Sequence, residues 1–432
     1  MNTMTDQTGR TKLLPKGDVL PFILLASCFM WWGVANNMTD PLVRAFTGIF
    51  EGLSNFQSSL IQFAFYGAYF GLAIPGAIIA RKFGYKRGVL TGLALYIAGC
   101  FLFIPAAQTQ QFFPFLVAFY VLAGGLSILE TNANPYVLVL GPEETATQRL
   151  NLAQSFNPVG AIIGTLLAQI LILAKLEAVE SGATPVDDVQ TAQLAIVIAP
   201  YLIIGGILIA VWLLIAFTRM PYVVESDRNV HFGPTVSRLL KIPNYVFAVV
   251  AQFFYVGAQI TVWTYTVYYV PDQLGISPSE TLQKFHLPAL ILFGIFRFVS
   301  TALMSRIPPH RVLAFMAVAG VVLSFVVVGV GGIVGCYALV GLSACMSLMF
   351  PTIFGLGSRG LGEDTKIGGS GLIMAILGGA IITPLQGYII DVANVSISYT
   401  VPLVCFAVIA AYGFYAGKTK LPDAHVRTAI EA

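Results

Sequence analysis

The sequence predicts an all-α integral membrane protein in which twelve transmembrane helices form two six-helix halves. Hydrophobic residues make up 57% of the 432 residues, charged residues only 10%, and the mean hydropathy is +0.82. Soluble domains carry about 25% charged residues, so this composition indicates a chain embedded in lipid. Polar breaks divide the chain into twelve apolar runs, each close to the roughly 20 residues that a helix needs to cross a bilayer.

The predicted spans follow one another through short connections. Their limits are 20–43, 56–80, 89–107, 112–140, 150–174, 193–217, 243–270, 285–304, 312–330, 334–357, 367–390 and 397–416. The longest polar connection separates the sixth span from the seventh. We therefore expect the following organisation: an N-terminal tail (1–19), a first half (20–218), a linker (219–242), a second half (243–417) and a C-terminal tail (418–432).

The distribution of Lys and Arg predicts the orientation. Nineteen of the 23 basic residues lie in even-numbered connections or in the tails, while only Arg44, Lys175 and Lys284 lie in odd-numbered connections. Cytoplasmic loops carry the excess of Lys and Arg. Both termini and the linker are therefore predicted to be cytoplasmic, in a bacterial inner membrane.

Several other function classes find no support. The basic residues form no stripe of the kind that binds nucleic acid. We find no phosphate-binding glycine loop, metal-ligand cluster or nucleophile motif, and so expect neither an enzyme nor a bound cofactor or metal. The five cysteines lie within predicted spans at irregular spacing, which is typical of apolar filling. The four histidines lie in loops, at span edges or in the tail, so none is a mid-span proton relay.

A carboxylate in the fourth span is the strongest candidate for chemistry. Glu130 lies in the middle of the apolar run 112–140, and an ionised acid in hydrocarbon costs several kcal/mol or more. Asn134 lies four residues later, on the same helical face, and Gln154 and Asn157 share a face of the fifth span. These four side chains are predicted to face one interior, where Glu130 exchanges a proton and contacts substrate.

A second acid lies in the first span. Asp40 shares a helical face with Asn36 and Asn37, which precede it by four and three residues. We expect Asp40 to lie in the outer half of the membrane, where an acid at the outer interface is the alternative to a functional one, with the two asparagines near the substrate.

The seventh span carries a polar and aromatic stripe. Gln252, Tyr255, Gln259 and Trp263 follow at spacings of three, four and four, so they lie on one face. Amides supply both donors and acceptors for sugar hydroxyls, and aromatic rings stack on the C–H faces of a sugar. We predict that Tyr255, Gln259 and Trp263 bind substrate. The weaker candidates are Trp31, Trp32, Gln62, Tyr66 and Tyr69.

Arg297 is the one basic residue inside a predicted span. Its position near the end of the eighth span predicts a structural ion pair with Glu363 or Asp364, and binding of substrate is the alternative. Phosphorylated substrates need basic side chains at the midplane. None is expected there, so a neutral substrate is favoured over a sugar phosphate.

The two halves carry similar segments. ARKFGYKRGVL after the second span resembles SRIPPHRVL after the eighth, and NPYVLVLG at the end of the fourth resembles FPTIFGLG at the end of the tenth. Six-span repeats are the layout of the major facilitator superfamily, which binds substrate near the midplane between its halves. The loop after the second span resembles the signature of that superfamily, but Arg81 stands in the place of its acid, which puts a gate built on that acid in doubt.

Several blocks resemble the fucose–proton symporter family more closely. They are ANNMTD, LETNANPYVLVLGPE, LNLAQSFN, AQFFYVGAQ, FPTIFGLG and GEDTK, spread from about residue 20 to 415. The resemblance implies that the acids at 130 and 40 couple transport to protons. It also implies a sugar substrate: L-fucose, glucose or galactose, or N-acetylglucosamine. Thr39 stands where the fucose type is expected to have asparagine, so the sugar stays open, with L-fucose the leading candidate.

Together these patterns predict import of a neutral hexose with a proton by alternating access. A sodium-coupled transporter keeps the fold and changes the ion, because a carboxylate flanked by amide oxygens also suits sodium. A drug–proton antiporter would need a more apolar pocket, and a non-transporting sugar receptor would need a signalling domain. The sequence carries no signal for oligomeric state, and a monomer is our working expectation.

Overall fold

The computed structural model of the protein describes residues 13–50, 55–180, 188–221 and 232–418. Throughout these ranges the regular secondary structure is helical, with no β-strand. Within the described residues, twelve helical segments are long and apolar enough to cross a membrane. The predicted all-α fold with twelve membrane helices is therefore confirmed.

We number the membrane-crossing helices α1–α12 and give the pieces of an interrupted helix one number. The bounds are α1 Val19–Ile49, α2 Asn55–Phe83, α3 Tyr85–Thr109, α4 Phe112–Val139, α5 Ala146–Gln154, Phe156–Leu167, Ala168–Leu173 and Ala174–Glu180, α6 Val189–Phe217, α7 Pro243–Leu274, α8 Leu282–His286 and Leu287–Leu303, α9 Pro309–Gly329, α10 Gly332–Met346 and Met349–Gly357, α11 Thr365–Met374 and Leu377–Val392, and α12 Val395–Ser398 and Thr400–Ala416. A short helix, Phe232–Leu239, lies between α6 and α7 and is called the linker helix.

Several spans that the sequence predicts as continuous are interrupted, α5 and α10 among them. Helix α5 breaks at Ser155, and α10 breaks just after Met346. A proline follows each break, Pro158 in α5 and Pro351 in α10. Proline has no N–H, so it removes the helical hydrogen bond to the carbonyl four residues earlier. The carbonyls deprived in this way belong to Gln154 and Ser347.

Glycines allow α3 and α4 to cross at close range. A Cβ on Gly92 would lie 2.5 Å from the backbone nitrogen of Leu129, and one on Gly125 would lie 2.3 Å from that of Tyr96. Membrane helices gain little from a hydrophobic driving force and associate through such close backbone packing. The pair fixes α4, and with it Glu130, against α3.

The two halves contact each other on the side of the membrane where α1 begins and α12 ends, here called the terminal side. The Lys366 Nζ at the start of α11 donates to the Ala80 carbonyl of α2 over 2.8 Å. Asn151 of α5 donates to the Thr352 hydroxyl of α10 over 3.1 Å. These contacts close the space between the halves on the terminal side.

The linker helix reinforces this closure. Arg238 binds both carboxylate oxygens of Asp364 at 2.8 and 3.0 Å, and Arg81 in the last turn of α2 approaches the same carboxylate at 4.0 Å. Arg81 also donates to the Thr235 hydroxyl over 3.4 Å. Arg81 is thus a base at the position where the superfamily's signature has an acid. The acid of this cluster is Asp364, from the loop before α11.

We expect Gly92→Leu to destabilise the protein, because the larger side chain would push α3 away from α4. Overpacking of this kind typically costs about 1–3 kcal/mol. The measurement is the thermal unfolding midpoint of detergent-purified protein, together with its monodispersity on size exclusion.

Gly206→Leu is the matched control. Gly206 is exposed on α6, and nothing lies within 4 Å of a Cβ placed there. If both variants unfolded at the same temperature as the unmodified chain, the α3–α4 crossing would not depend on small residues.

Candidate functional site

A cavity lies between the two halves, near the middle of the membrane helices. Its empty volume is about 900 Å³, part of which opens to solvent. Helices from both halves line it, and its residues are Phe29, Trp32, Asn36, Asn37, Phe65, Tyr66, Tyr69, Glu130, Gln154, Asn157, Pro158, Ala161, Tyr255, Val256, Gln259, Ile260, Trp263, Leu290, Phe293, Arg297, Phe350 and Ile376. Concave sites lined by apolar and aromatic groups with a few convergent polar groups are typical of small-molecule binding.

Glu130 lies in this cavity wall with only 4% of its side chain exposed. Its Oε2 atom has no hydrogen-bond partner within the described ranges, and none of the ion pairs recorded there involves it. A buried carboxylate without a cation is costly when ionised. The protonated form is therefore favoured whenever water leaves the cavity.

Asn134 and Gln154 form a pair of amides beside Glu130. Gln154 Nε2 donates to Asn134 Oδ1 over 2.7 Å, which links α5 to α4. The Asn134 Nδ2 atom is buried and has no partner among the described residues. Asn134 is buried behind the wall formed by Gln154 and is not itself a lining residue. It therefore acts on the cavity through Gln154.

Three further asparagines of the first half were predicted near the substrate, and all three line the cavity. Asn37 donates to the Gly33 carbonyl of its own helix over 3.0 Å. Asn157 donates to the Phe29 carbonyl over 3.3 Å and so ties α5 to α1. Asn36 is half-buried in the same wall. The amide oxygens of these residues make this side of the cavity polar.

The side chain of Asp40 lies outside the described part of the structure. The backbone of α1 runs through this position, two turns from Gly33. The predicted role of Asp40 therefore stays a prediction, and the same holds for the weaker candidate Gln62 on α2.

The second half supplies Tyr255, Gln259 and Trp263, and all three line the cavity. The Tyr255 hydroxyl is buried and has no partner within the described ranges. Trp263 Nε1 donates to Ser343 Oγ over 3.1 Å, and its ring meets Phe293 edge-on at 5.1 Å. These bonds fix the indole in place, while Gln259 is half-buried beside it.

Among the rest of the stripe and the weaker aromatic candidates, some residues line the cavity and others do not. Gln252 is fully buried outside the cavity, and neither of its amide atoms has a partner in the described ranges. Trp32 and Tyr69 line the cavity and are joined by a hydrogen bond from the indole N–H to the phenol oxygen. Tyr66 lines it as well, whereas Trp31 does not.

The apolar part of the wall went unpredicted. In the second half it includes Ile260, Leu290, Phe293, Phe350 and Ile376. In the sequence these residues are indistinguishable from those facing lipid, because the spans around them are apolar on every side. Only helix packing tells which of them turn inward. The first half thus contributes most of the amides together with aromatic rings, and the second half contributes mainly aromatic and aliphatic groups.

The prediction that Arg297 pairs with Asp364 is wrong, because Asp364 pairs with Arg238 and lies near Arg81. The side chain of Glu363, the other predicted partner, lies outside the described part of the structure. A second prediction, that no basic side chain lies at the midplane, is also wrong. Arg297 instead lines the cavity, so a basic side chain does reach the midplane. Its guanidinium is 3% exposed, lies 4.7 Å from the centre of the Phe293 ring and donates to backbone carbonyls.

Comparison with known proteins agrees with this architecture. The sequence profile of the Major Facilitator Superfamily matches residues 20–384. The L-fucose-proton symporter of Haemophilus influenzae is 42% identical, and the match covers 94% of this chain and 99% of that one. The L-fucose-proton symporter of Escherichia coli is 41% identical over 93% and 94% of the two chains. A glucose/galactose transporter of Brucella abortus is 34% identical over 91% and 93%.

Solved structures give the same result. A crystal structure of the Escherichia coli fucose:proton symporter superposes with a TM-score of 0.85 at 40% identity, covering 94% of this chain and all of that one. A second crystal structure, of a superfamily transporter in the outward conformation, superposes with a TM-score of 0.86 at 40% identity and the same coverage. The chain therefore belongs to the major facilitator superfamily and, within it, to the family of the fucose–proton symporters, which are multi-pass membrane transporters and not enzymes.

Proposed function

We propose that this protein imports a neutral hexose, L-fucose, together with a proton by alternating access. One observation carries the proposal: the Glu130 carboxyl, with an unpartnered oxygen, lies in an amide-lined cavity between the two halves. The two relatives above 40% identity are both named as L-fucose-proton symporters, which favours this sugar over glucose or galactose.

The cavity lining offers groups for both kinds of surface on a sugar, the hydroxyls and the C–H faces. Asn36, Asn37, Gln154 and Asn157 offer amide groups to the hydroxyls, and each amide can both donate and accept. Trp263 and its aromatic neighbours offer ring faces to the C–H surface. A sugar bound in this way would touch both halves at once, as alternating access requires.

A phosphorylated sugar remains disfavoured for a reason that the sequence did not supply. Arg297 does reach the cavity, but its N–H groups donate to the carbonyls of Gln154 and Ser347. A phosphate would also lie near the Glu130 carboxyl, which would repel it whenever that carboxyl is ionised. The cavity therefore suits a neutral ligand.

Glu130 is proposed to carry the proton. An ionised Glu130 would pay for desolvation when the cavity closes, whereas a protonated one would not. Loading of both sugar and proton would thus permit the halves to rock, and the proton gradient would bias the cycle inward. Asp40 is proposed as a second acid, linked to the switch more than to the sugar.

The orientation completes the proposal. The excess of Lys and Arg on the terminal side supports a cytoplasmic location for both termini, in the inner membrane. The closure on that side then corresponds to an outward-facing state. The cavity lies within one chain, which supports a monomer as the working unit.

Counterflow into proteoliposomes tests the substrate and the ion. We expect L-fucose to outcompete glucose, galactose and N-acetylglucosamine, and a pH gradient to drive accumulation because protonation of a buried acid is the coupled step. If a sugar phosphate or a hydrophobic cation competed better than every neutral sugar, the substrate class would be wrong. Accumulation that followed a sodium gradient instead would transfer the coupling to sodium.

We expect Gln259→Ala to weaken sugar binding about fivefold, because one buried hydrogen bond is worth about 1 kcal/mol. The measurement is a binding titration on purified protein. Gln386→Ala is the control, since Gln386 is a buried amide of α11 outside the cavity that donates to Ser398 Oγ. Equal affinities for the two variants would reassign Gln259 to helix packing.

We expect Glu130→Gln to abolish proton-driven accumulation and to make any remaining sugar binding nearly independent of pH. The amide keeps the shape and hydrogen-bonding capacity of the acid but cannot exchange a proton near neutral pH. The measurement is sugar-induced alkalinisation of the medium, recorded alongside sugar exchange.

Glu143→Gln is the matched control, because Glu143 is an exposed acid on the terminal side and should be silent. Asp40→Asn, in the same assay, should lose active uptake and keep exchange. Proton movement with sugar at the unmodified ratio in Glu130→Gln would refute the coupling role of this residue.

A further inference from the structure

Arg297 joins the two halves through backbone atoms. Its Nε donates to the carbonyl of Ser347 on α10, in its own half. Its NH1 group donates to the carbonyl of Gln154 on α5, in the other half, over 3.0 Å. Within the described ranges no acid forms an ion pair with it. A buried cation that binds only carbonyls and a ring is unusual enough to need a reason.

Two prolines supply that reason. Residue 158 lies four positions after Gln154, and residue 351 lies four positions after Ser347; both are proline. Neither carbonyl can therefore receive the helical hydrogen bond that it would otherwise accept. Unsatisfied carbonyls are costly in the membrane interior, and a guanidinium has enough N–H donors in a fixed plane to serve both.

The two hydrogen bonds of Arg297 would behave differently during the transport cycle. Ser347 and Arg297 belong to the same half and move together, so that bond can persist. Gln154 belongs to the opposite half, and its side chain donates to Asn134, one turn from Glu130. If the halves rock apart on the terminal side, the bond between Arg297 and Gln154 is stretched or broken.

We propose that Arg297 is a positioning residue that latches the halves in the state closed on the terminal side, by donating to the carbonyl that Pro158 leaves free on Gln154. The inference rests on the alternating-access function proposed above. Breaking this hydrogen bond is then a step of the cycle. The free energy needed to open the terminal side is required next to the amides proposed to bind the sugar.

Distance measurements between spin labels test the latch without sugar, so its failure can be told apart from failure of the substrate assignment. Lys82 in the last turn of α2 and Arg306 after α8 are exposed, on opposite halves of the terminal side. Both are changed to cysteine and labelled in a background in which the five buried cysteines are alanine.

We expect Arg297→Gln to raise the ratio of long to short distances about tenfold, the change expected from losing one charge-assisted hydrogen bond. Arg297→Lys should give a smaller shift, because one ammonium group cannot serve both carbonyls with the geometry of a guanidinium. This second variant also keeps the buried charge, which protects the test if Arg297→Gln fails to fold.

Proline replacement decides whether the effect runs through the Gln154 carbonyl. Pro158→Ala supplies an N–H to that carbonyl within α5. In this background Arg297→Gln should raise the ratio of long to short distances by at most about threefold, which is less than the loss of one charged hydrogen bond would give. Pro351→Ala is the matched control: it serves the Ser347 carbonyl within one half, and the tenfold shift should remain. An unchanged distance distribution in Arg297→Gln and Arg297→Lys, or a full shift in the Pro158→Ala background, would overturn the proposal.

Discussion

The cost of placing an unpaired carboxyl in a membrane interior underlies the arrangement of this protein. Glu130 is 4% exposed and has one oxygen without a hydrogen-bond partner among the described residues. Such a group is tolerated where water or a ligand can reach it, and it prefers to be neutral where they cannot. The cavity between the halves supplies that access. Closing the cavity is thus tied to the protonation of one side chain.

The same rule applies to the backbone. Each proline in α5 and α10 leaves a carbonyl without its helical donor, and in lipid this would be expensive. Both carbonyls accept from Arg297, that of Ser347 within its own half and that of Gln154 across the interface between the halves. Breaks in these helices therefore lie where a side chain compensates them, and the compensation crosses the interface that has to move.

The two halves contribute unequally to the cavity. The first half presents four amides, an acid and aromatic rings, and the second presents Gln259 with mainly aromatic and aliphatic groups. Amides suit the hydroxyls of a monosaccharide and rings suit its C–H faces, and both kinds of group lie around this one cavity. On the terminal side, Asp364 joins Arg238 of the linker helix and lies near Arg81, so closure depends on elements of both halves and of the connection between them.

The sequence by itself determined the membrane class, the twelve helices, the two-half layout and most of the polar residues of the cavity, because apolar run length and polar residues inside such a run are local properties. Asn36, Asn157 and Gln259 were predicted for that reason and line the cavity, whereas Asn134 is buried and does not. Only the tertiary structure decided which apolar side chains, such as Ile260 and Phe350, face inward. It also decided the partners of Arg297, since a backbone carbonyl freed by a distant proline becomes a partner only when packing brings the helices together.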